Sequence, residues 1–266
     1  MLHKEAIPAW PFAIMKSHPW LWKLRKSCIV PPVGVLSKIF FEYLSRSQVF
    51  NREALLELVG NRADGEGLVT VSNHYSCLDE PVLNGMLNWR HLLSPDVMRW
   101  SPAAHDICFT RPFHCWFFTS GKCVPIVRGE GVYQRAMNFL VERLRRGDWV
   151  HLFPEGRVNT EHEHLRLKWG VGRLVAEPER TPTVLPYWHL GMDAALPNRP
   201  PYLPRPGQTI TVLVGRPLTL AAEVARLRRR GASSREARRT VTERVQDELE
   251  RLRSRAEQLH AARLAS

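Results

Sequence analysis

The sequence predicts an α/β domain with a mostly parallel central sheet flanked by helices. Three observations predict it. Short β-branched or apolar runs recur at 68–72, 122–127, 149–153, 183–189 and 210–215, each of strand length and too short for a helix. Amphipathic stretches of helical period lie between and after them. The runs are apolar almost throughout, as befits strands covered on both faces, and alternation of strand and helix is the signature of parallel pairing.

Each element follows in order. Asn51 to Val59 reads as a short helix, and "LVTVS" (68–72) as a strand. Leu78 to Leu87 reads as a helix, with Pro81 tolerated in its first turn. "VMRW" (97–100) and "KCVPIV" (122–127) read as strands. Tyr133, Met137, Leu140, Val141 and Leu144 share one helical face, and Gly147 ends that helix. "WVHLF" (149–153), "TVLPYWH" (183–189) and "ITVLVG" (210–215) complete the strands, and "NRPPYLPRPGQ" (198–208) is a Pro-rich loop. Val241, Val245, Leu249, Leu252 and Leu259 line one face of a final helix. The α/β domain is thus expected over 51–220, with basic helices over 221–266 packed on or beside it.

Residues 1–50 differ in character. Trp10, Phe12, Trp20, Trp22, Phe40 and Phe41 alternate with Lys16, Lys23, Arg25, Lys26 and Lys38. Aromatic rings beside cations suit the boundary between lipid headgroups and acyl chains. The charge-free run from Ser27 to Ser37 contains Pro31 and Pro32 and falls short of the ~20 residues a spanning helix needs. The expectation is a membrane-associating helical segment that lies on or dips into one leaflet, or a helical pair packed on the core; the two are compatible. Glu5 and the early aromatics argue against a cleaved signal or a transit peptide.

Charge points the same way. The net charge is +12, with seven Lys/Arg against two Asp/Glu in residues 1–50 and twelve against seven in 221–266. Basic ends imply an anionic surface. The Arg-rich stretch 226–239 has no aromatics and accompanies no nucleic-acid-binding motif, so membrane is expected as the partner and nucleic acid is not. Five cysteines without a CxxC pair exclude a disulfide framework and a structural zinc site and are expected as small buried residues. Cys77 lies among the candidate site residues, but nothing in the sequence supplies the cations that would activate it. "EHEH" (161–164) is read as a polar loop rather than a metal site. His105 with Asp106 are further candidates, and His151, inside a strand, is expected to be a satisfied core histidine.

The chemistry centres on "VSNHYSCLDE" (71–80). A strand ending at Ser72 delivers Asn73 and His74 to the carboxyl edge of the sheet, where α/β proteins place ligands. Asp79, five residues on, is within one turn of chain, so its carboxylate can accept from one ring nitrogen of His74 and leave the other as a base. The same spacing is also compatible with metal ligation or with a capping Asp beside a chance His. Two other strand ends add polar groups. "GKCVPIVRGEG" (121–131) presents Arg128 beside Gly129, a fork suited to phosphate, and "FPEGR" (153–157) presents Glu155, Gly156 and Arg157 on a tight turn.

In this order the four motifs resemble those of the glycerolipid acyltransferase superfamily: Asn73, His74 and Asp79; Ile126, Val127 and Arg128; Phe153, Pro154, Glu155 and Gly156; Val184, Leu185 and Pro186. The stretches 98–110, 147–159, 165–177 and 185–205 extend the likeness over nearly the whole chain from residue 50. Many acyl-CoA-dependent members continue Glu-Gly-Thr-Arg, whereas here Arg157 directly follows Gly156, a departure that touches the phosphate role of Arg157.

The resemblance implies a transacylase that moves a fatty acyl group from a phospholipid such as phosphatidylcholine to a lysophospholipid, notably monolysocardiolipin, giving cardiolipin without acyl-CoA. It implies His74 and Asp79 as catalytic residues and Asn73, Arg128, Gly129, Glu155, Gly156 and Arg157 as substrate-binding. No metal or bound cofactor is expected. It further implies peripheral attachment to mitochondrial membranes, facing the intermembrane space. The alternatives are an acyl-CoA-dependent lysophospholipid acyltransferase and a non-enzymatic basic membrane adaptor.

Overall fold

The computed structural model describes residues 10–200 and 202–265; residues 1–9 of the expected N-terminal segment lie outside them. The strands are β1 (Arg46–Phe50), β2 (Leu68–Val71), β3 (Ser101–Ala104), β4 (Cys123–Ile126), β5 (Trp149–Leu152), β6 (Thr183–Leu190) and β7 (Thr209–Val214). Five of them form a sheet in the order β1-β7-β6-β2-β5. β3 and β4 pair as a ribbon, joined to β5 where Trp100 bridges Val150. Only β6 and β7 run antiparallel to each other; the other pairs are parallel.

β2 and β5 are buried along their full length. Their alternate residues feed two cores. Val69, Val71, Val150 and Leu152 face one, while Leu68 and Trp149 face the other. The first core is closed by α5 (Arg135–Arg145), α6 (Gly170–Ala176), α7 (Ala221–Arg229) and the 31-residue α8 (Ser234–Leu264), while α4 (Pro112–Ser120) packs beside β4. The second is closed by α1 (Pro19–Lys38), α2 (Arg52–Gly60) and the turns around Leu83 and Met86. α8 buries Val241, Val245, Leu249 and Leu252, as the period predicts, and leaves Leu259 half-buried. Ser233 caps it, its hydroxyl accepting from the Glu236 N–H at 3.2 Å. Where α6 meets α8, only glycine fits: a Cβ on Gly172 would lie 2.1 Å from the Arg238 carbonyl oxygen.

Several local expectations change. The strand foreseen at 97–100 begins instead at Ser101, and only Trp100 of the predicted four makes a bridge. The helix foreseen over Leu78–Leu87 divides into α3 (Asp79–Val82) and a 3-10 turn (Leu83–Met86). There Gly85 presses on the neighbouring helical segment so closely that a Cβ would stand 2.3 Å from Phe41 Cβ. Tyr133 precedes α5 and is exposed, with the Arg173 and Arg238 guanidinium groups near its ring. The sheet takes in Arg46–Phe50, so it begins inside the stretch assigned to the N-terminal segment. The cysteines are not the buried residues foreseen: Cys28 and Cys77 are exposed and Cys108, Cys115 and Cys123 are partly covered.

α1 runs unbroken through Pro31 and Pro32 into a π-turn at Ile39–Tyr43. Two cations expected to reach for lipid turn inward instead. Lys26 pairs with Asp96, and Lys38 pairs with Glu42 while donating to the Gly85 and Leu87 carbonyls at 3.0 and 2.6 Å. Trp20, Leu24, Leu36, Ile39, Tyr43 and Leu44 stay exposed, with Lys16 and Lys23 also in solvent. Among the described residues no helix is long and apolar enough to cross a membrane.

Candidate active site

The loop after β2 carries the central pair. His74 Nδ1 lies 2.9 Å from Asp79 Oδ2. A carboxylate only accepts, so Nδ1 carries the proton and Nε2 keeps its lone pair. The same Asp79 oxygen accepts from the Tyr75 and Ser76 backbone N–H groups at 2.7 and 2.9 Å, which folds the loop back on the first turn of α3. Asp79 is fully buried, whereas the His74 side chain is 18% exposed. The acid is therefore shielded and the imidazole reachable. Phe153, at the end of β5, stacks on the imidazole with ring centroids 4.0 Å apart and fixes its plane.

The turn Phe153–Gly156 closes with the Gly156 N–H donating to the Phe153 carbonyl at 3.1 Å. Pro154 suits the second position, and Gly156 takes φ = +75°, which favours glycine. The turn aims Glu155 back at the dyad, where its Oε1 accepts from the His74 N–H at 3.2 Å. Burial holds the Glu155 carboxyl above its usual range, against the pull of nearby Asn159 and the His74 N–H. From the other side the Asn159 N–H donates to the His74 carbonyl at 2.6 Å. The backbone of His74 is thus held at both of its polar groups.

Asn73 is buried and its amide is committed to β6. Nδ2 donates to the His189 carbonyl and Oδ1 accepts from the His189 N–H, both at 2.9 Å. It supports the loop instead of presenting a free amide. Arg128 and Arg157 lie apart from this cluster. Arg128 is exposed and paired with Asp106, and Arg157 is exposed and paired with Glu163 at 3.0 Å. Gly129 follows Arg128 with φ = +91° and open space where a Cβ would stand. Among the described residues, none of the three hydrogen-bonds to His74 or Asp79.

The other candidates resolve into structural roles. His151 is fully buried, with Nδ1 on Thr70 and Nε2 facing the Tyr187 hydroxyl at 3.2 Å. His105 stacks on Phe109. His162 stacks on Tyr75 and meets Asp193 at 3.3 Å, while His164 meets Glu250 at 3.5 Å. Among the described residues no three His, Cys, Asp or Glu side chains are placed to hold a metal ion. The Cys77 thiol is pushed up by desolvation and by the Asp79 charge, the reverse of an activated nucleophile. Sequence reasoning missed Asn159 and His189 as parts of the site. Both reach it across the fold, and no spacing rule points to either.

Comparison with known proteins bears on the family and the fold. The Acyltransferase family profile matches residues 47–190. Tafazzin of Drosophila melanogaster is 44% identical over 254 residues, covering 96% of this chain and 67% of its own. N-acylphosphatidylethanolamine synthase of Arabidopsis thaliana is 39% identical over 201 residues, covering 73% of this chain and 71% of its own. Among solved structures, the 1-acyl-sn-glycerophosphate (LPA) acyltransferase PlsC of Thermotoga maritima shares the fold. It has a TM-score of 0.57 at 18% identity and covers 91% of this chain and 93% of its own. The chain therefore belongs to the acyltransferase family and, within the glycerolipid acyltransferase superfamily, to its tafazzin branch.

Proposed function

We propose that the chain exchanges a fatty acyl group between a phospholipid and a lysophospholipid at a membrane surface, with His74 as the base. The carrying observation is the proton-bearing Nδ1 of His74 on buried Asp79, with Nε2 left free. Nε2 takes the proton from the acceptor hydroxyl as that oxygen attacks the donor ester carbonyl. Collapse breaks the bond to the donor glycerol oxygen, which recovers the proton from Nε2. One ester forms as another breaks, so no activated donor is needed. Asp79 stabilises the transient imidazolium, and proton transfer of this kind contributes typically ~10²–10⁴-fold. Arg128 and Arg157, near the surface, are assigned to headgroup phosphate, which must displace Asp106 and Glu163 from them.

The exposed apolar side chains of the N-terminal segment, with Lys16 and Lys23 among them, support attachment to one leaflet. Within this reading the acceptor is monolysocardiolipin, the product cardiolipin and the location a mitochondrial membrane facing the intermembrane space. The names of the Drosophila and Arabidopsis relatives support lipid acyl exchange, and the second adds an amine acceptor to be tested. The test mixes protein with acyl-labelled phosphatidylcholine and either monolysocardiolipin or phosphatidylethanolamine, without CoA. Label is expected in cardiolipin. Label in N-acylphosphatidylethanolamine alone, or transfer only when acyl-CoA is supplied, overturns the acceptor or the donor assigned. Liposome binding with no transfer from any donor returns the adaptor reading.

A further inference from the structure

The strand that carries the fourth motif ends in a second histidine aimed at the catalytic pair. His189 is completely buried on β6, 116 residues from Asn73 in sequence. Three hydrogen bonds tie it to Asn73. Two are the amide pair already described, in which the Asn73 side chain continues the β2–β6 ladder past Val71, where regular pairing stops. The third runs from the ring, whose Nε2 lies 2.9 Å from the Asn73 carbonyl oxygen. A carbonyl only accepts, so the proton sits on Nε2. The same Nε2 lies 3.5 Å from Asp79 Oδ2, the oxygen that also receives His74 Nδ1. Among the described residues, the buried Nδ1 of His189 has no hydrogen-bond partner. Burial also lowers the affinity of this ring for a second proton, so it stays neutral and a donor.

We propose that His189 is a positioning residue for acyl transfer: its Nε2–H holds the Asn73–His74 peptide and stands 3.5 Å from the Asp79 oxygen, setting both the place and the basicity of the His74 imidazole. This rests on the acyl-transfer reading above. The Asn73 carbonyl belongs to the peptide that enters His74, so a shift there moves the imidazole relative to Asp79. Removing the ring also strips the Asp79 oxygen of an N–H dipole 3.5 Å away. Its charge is then less neutralised and raises the His74 proton affinity. The titratable groups around His74 are Asp79 from its own loop, Glu155 and His151 from the β5 side, and His189 from β6.

The experiment compares wild type, His74→Ala, His189→Leu and His189→Gln in the CoA-free exchange assay across pH, with folding followed by circular dichroism. Gln places an amide N–H near the position of Nε2; Leu fills the space without a donor. His189→Leu is expected to lose about 10- to 100-fold in kcat at little change in KM. The acidic limb of its kcat profile should move up by roughly half a pH unit. His189→Gln should recover most of the lost kcat and restore the limb. A folded Leu variant with wild-type kcat, or an unmoved limb, overturns the inference while leaving the acyl-transfer reading intact. No exchange by wild type, or full exchange by His74→Ala, overturns that reading itself. A measurement needing no variant stands beside these. Nitrogen NMR of ¹⁵N-histidine-labelled protein at about pH 7 should show one ring neutral and protonated on Nε2. Assigned to His189, an Nδ1–H form or a cationic ring at that pH overturns the clamp.

Discussion

Changing Asp79 to Asn isolates the electrostatic part of the dyad. The buried Asp79 oxygen accepts from Tyr75 N–H, Ser76 N–H and His74 Nδ1. An amide oxygen in the same place still accepts all three, and its NH₂ falls on the side where Oδ1 has no partner. The loop therefore keeps its shape while the charge is lost. With the imidazolium and carboxylate centred roughly 4 Å apart at an effective dielectric of ~20, their attraction is about 4 kcal/mol. Losing it only when His74 is protonated, during ester exchange, lowers kcat by about 10³-fold and leaves KM close to wild type. The assay is label transfer from phosphatidylcholine to monolysocardiolipin over a range of acceptor concentrations, with thermal melting as the folding control. A folded Asp79→Asn protein whose kcat stays within about threefold of wild type refutes the base mechanism and the charge argument together. Asp79→Ala is a different perturbation. It leaves two buried N–H groups unpaired and should lower the melting temperature as well as the rate, by about 1–3 kcal/mol for each group stranded.

Other outcomes follow from the same geometry. Gly172→Ala drives a Cβ to 2.1 Å from the Arg238 carbonyl on α8, and melting should show a loss of about 1–3 kcal/mol or more. Ser233→Ala removes the cap of α8 and should cost about 1 kcal/mol in the same assay. Glu155 titrates above its ordinary range because burial disfavours its charge, so ionisation weakens the fold. Glu155→Gln should therefore raise the melting temperature, fully at pH above the raised value and not at all below 4.5. The gain should shrink steadily between those limits, and a gain that grows on acidification contradicts the assignment. Replacing the exposed Trp20, Leu24 and Leu36 of α1 with Ser should reduce sedimentation with cardiolipin-containing liposomes at least tenfold, roughly 1.4 kcal/mol, without changing the melting temperature. Unchanged sedimentation removes α1 from the membrane contact.

The fold and the dyad were legible because each is local. β2, β5 and β6 announce themselves through apolar runs, and α8 through a row of Val and Leu at helical spacing. Those patterns report burial of a segment's own faces, whatever it packs against. His74 and Asp79 meet because one loop and one turn of helix join them, so five residues of spacing suffice. β3 was expected four residues early because Ser-Pro-Ala-Ala carries little β-branched character. The end of α3 at Val82 depends on how closely Phe41 approaches Gly85, and the inward turn of Lys26 and Lys38 on Asp96 and on the Gly85 and Leu87 carbonyls. The contacts that place the imidazole come from farther still: Glu155 is 81 residues away from His74, and His189 is 116 residues away from Asn73. Such pairs exist only once strand order and register are set, and those are decided by the joint burial of seven strands and not by any single stretch of chain.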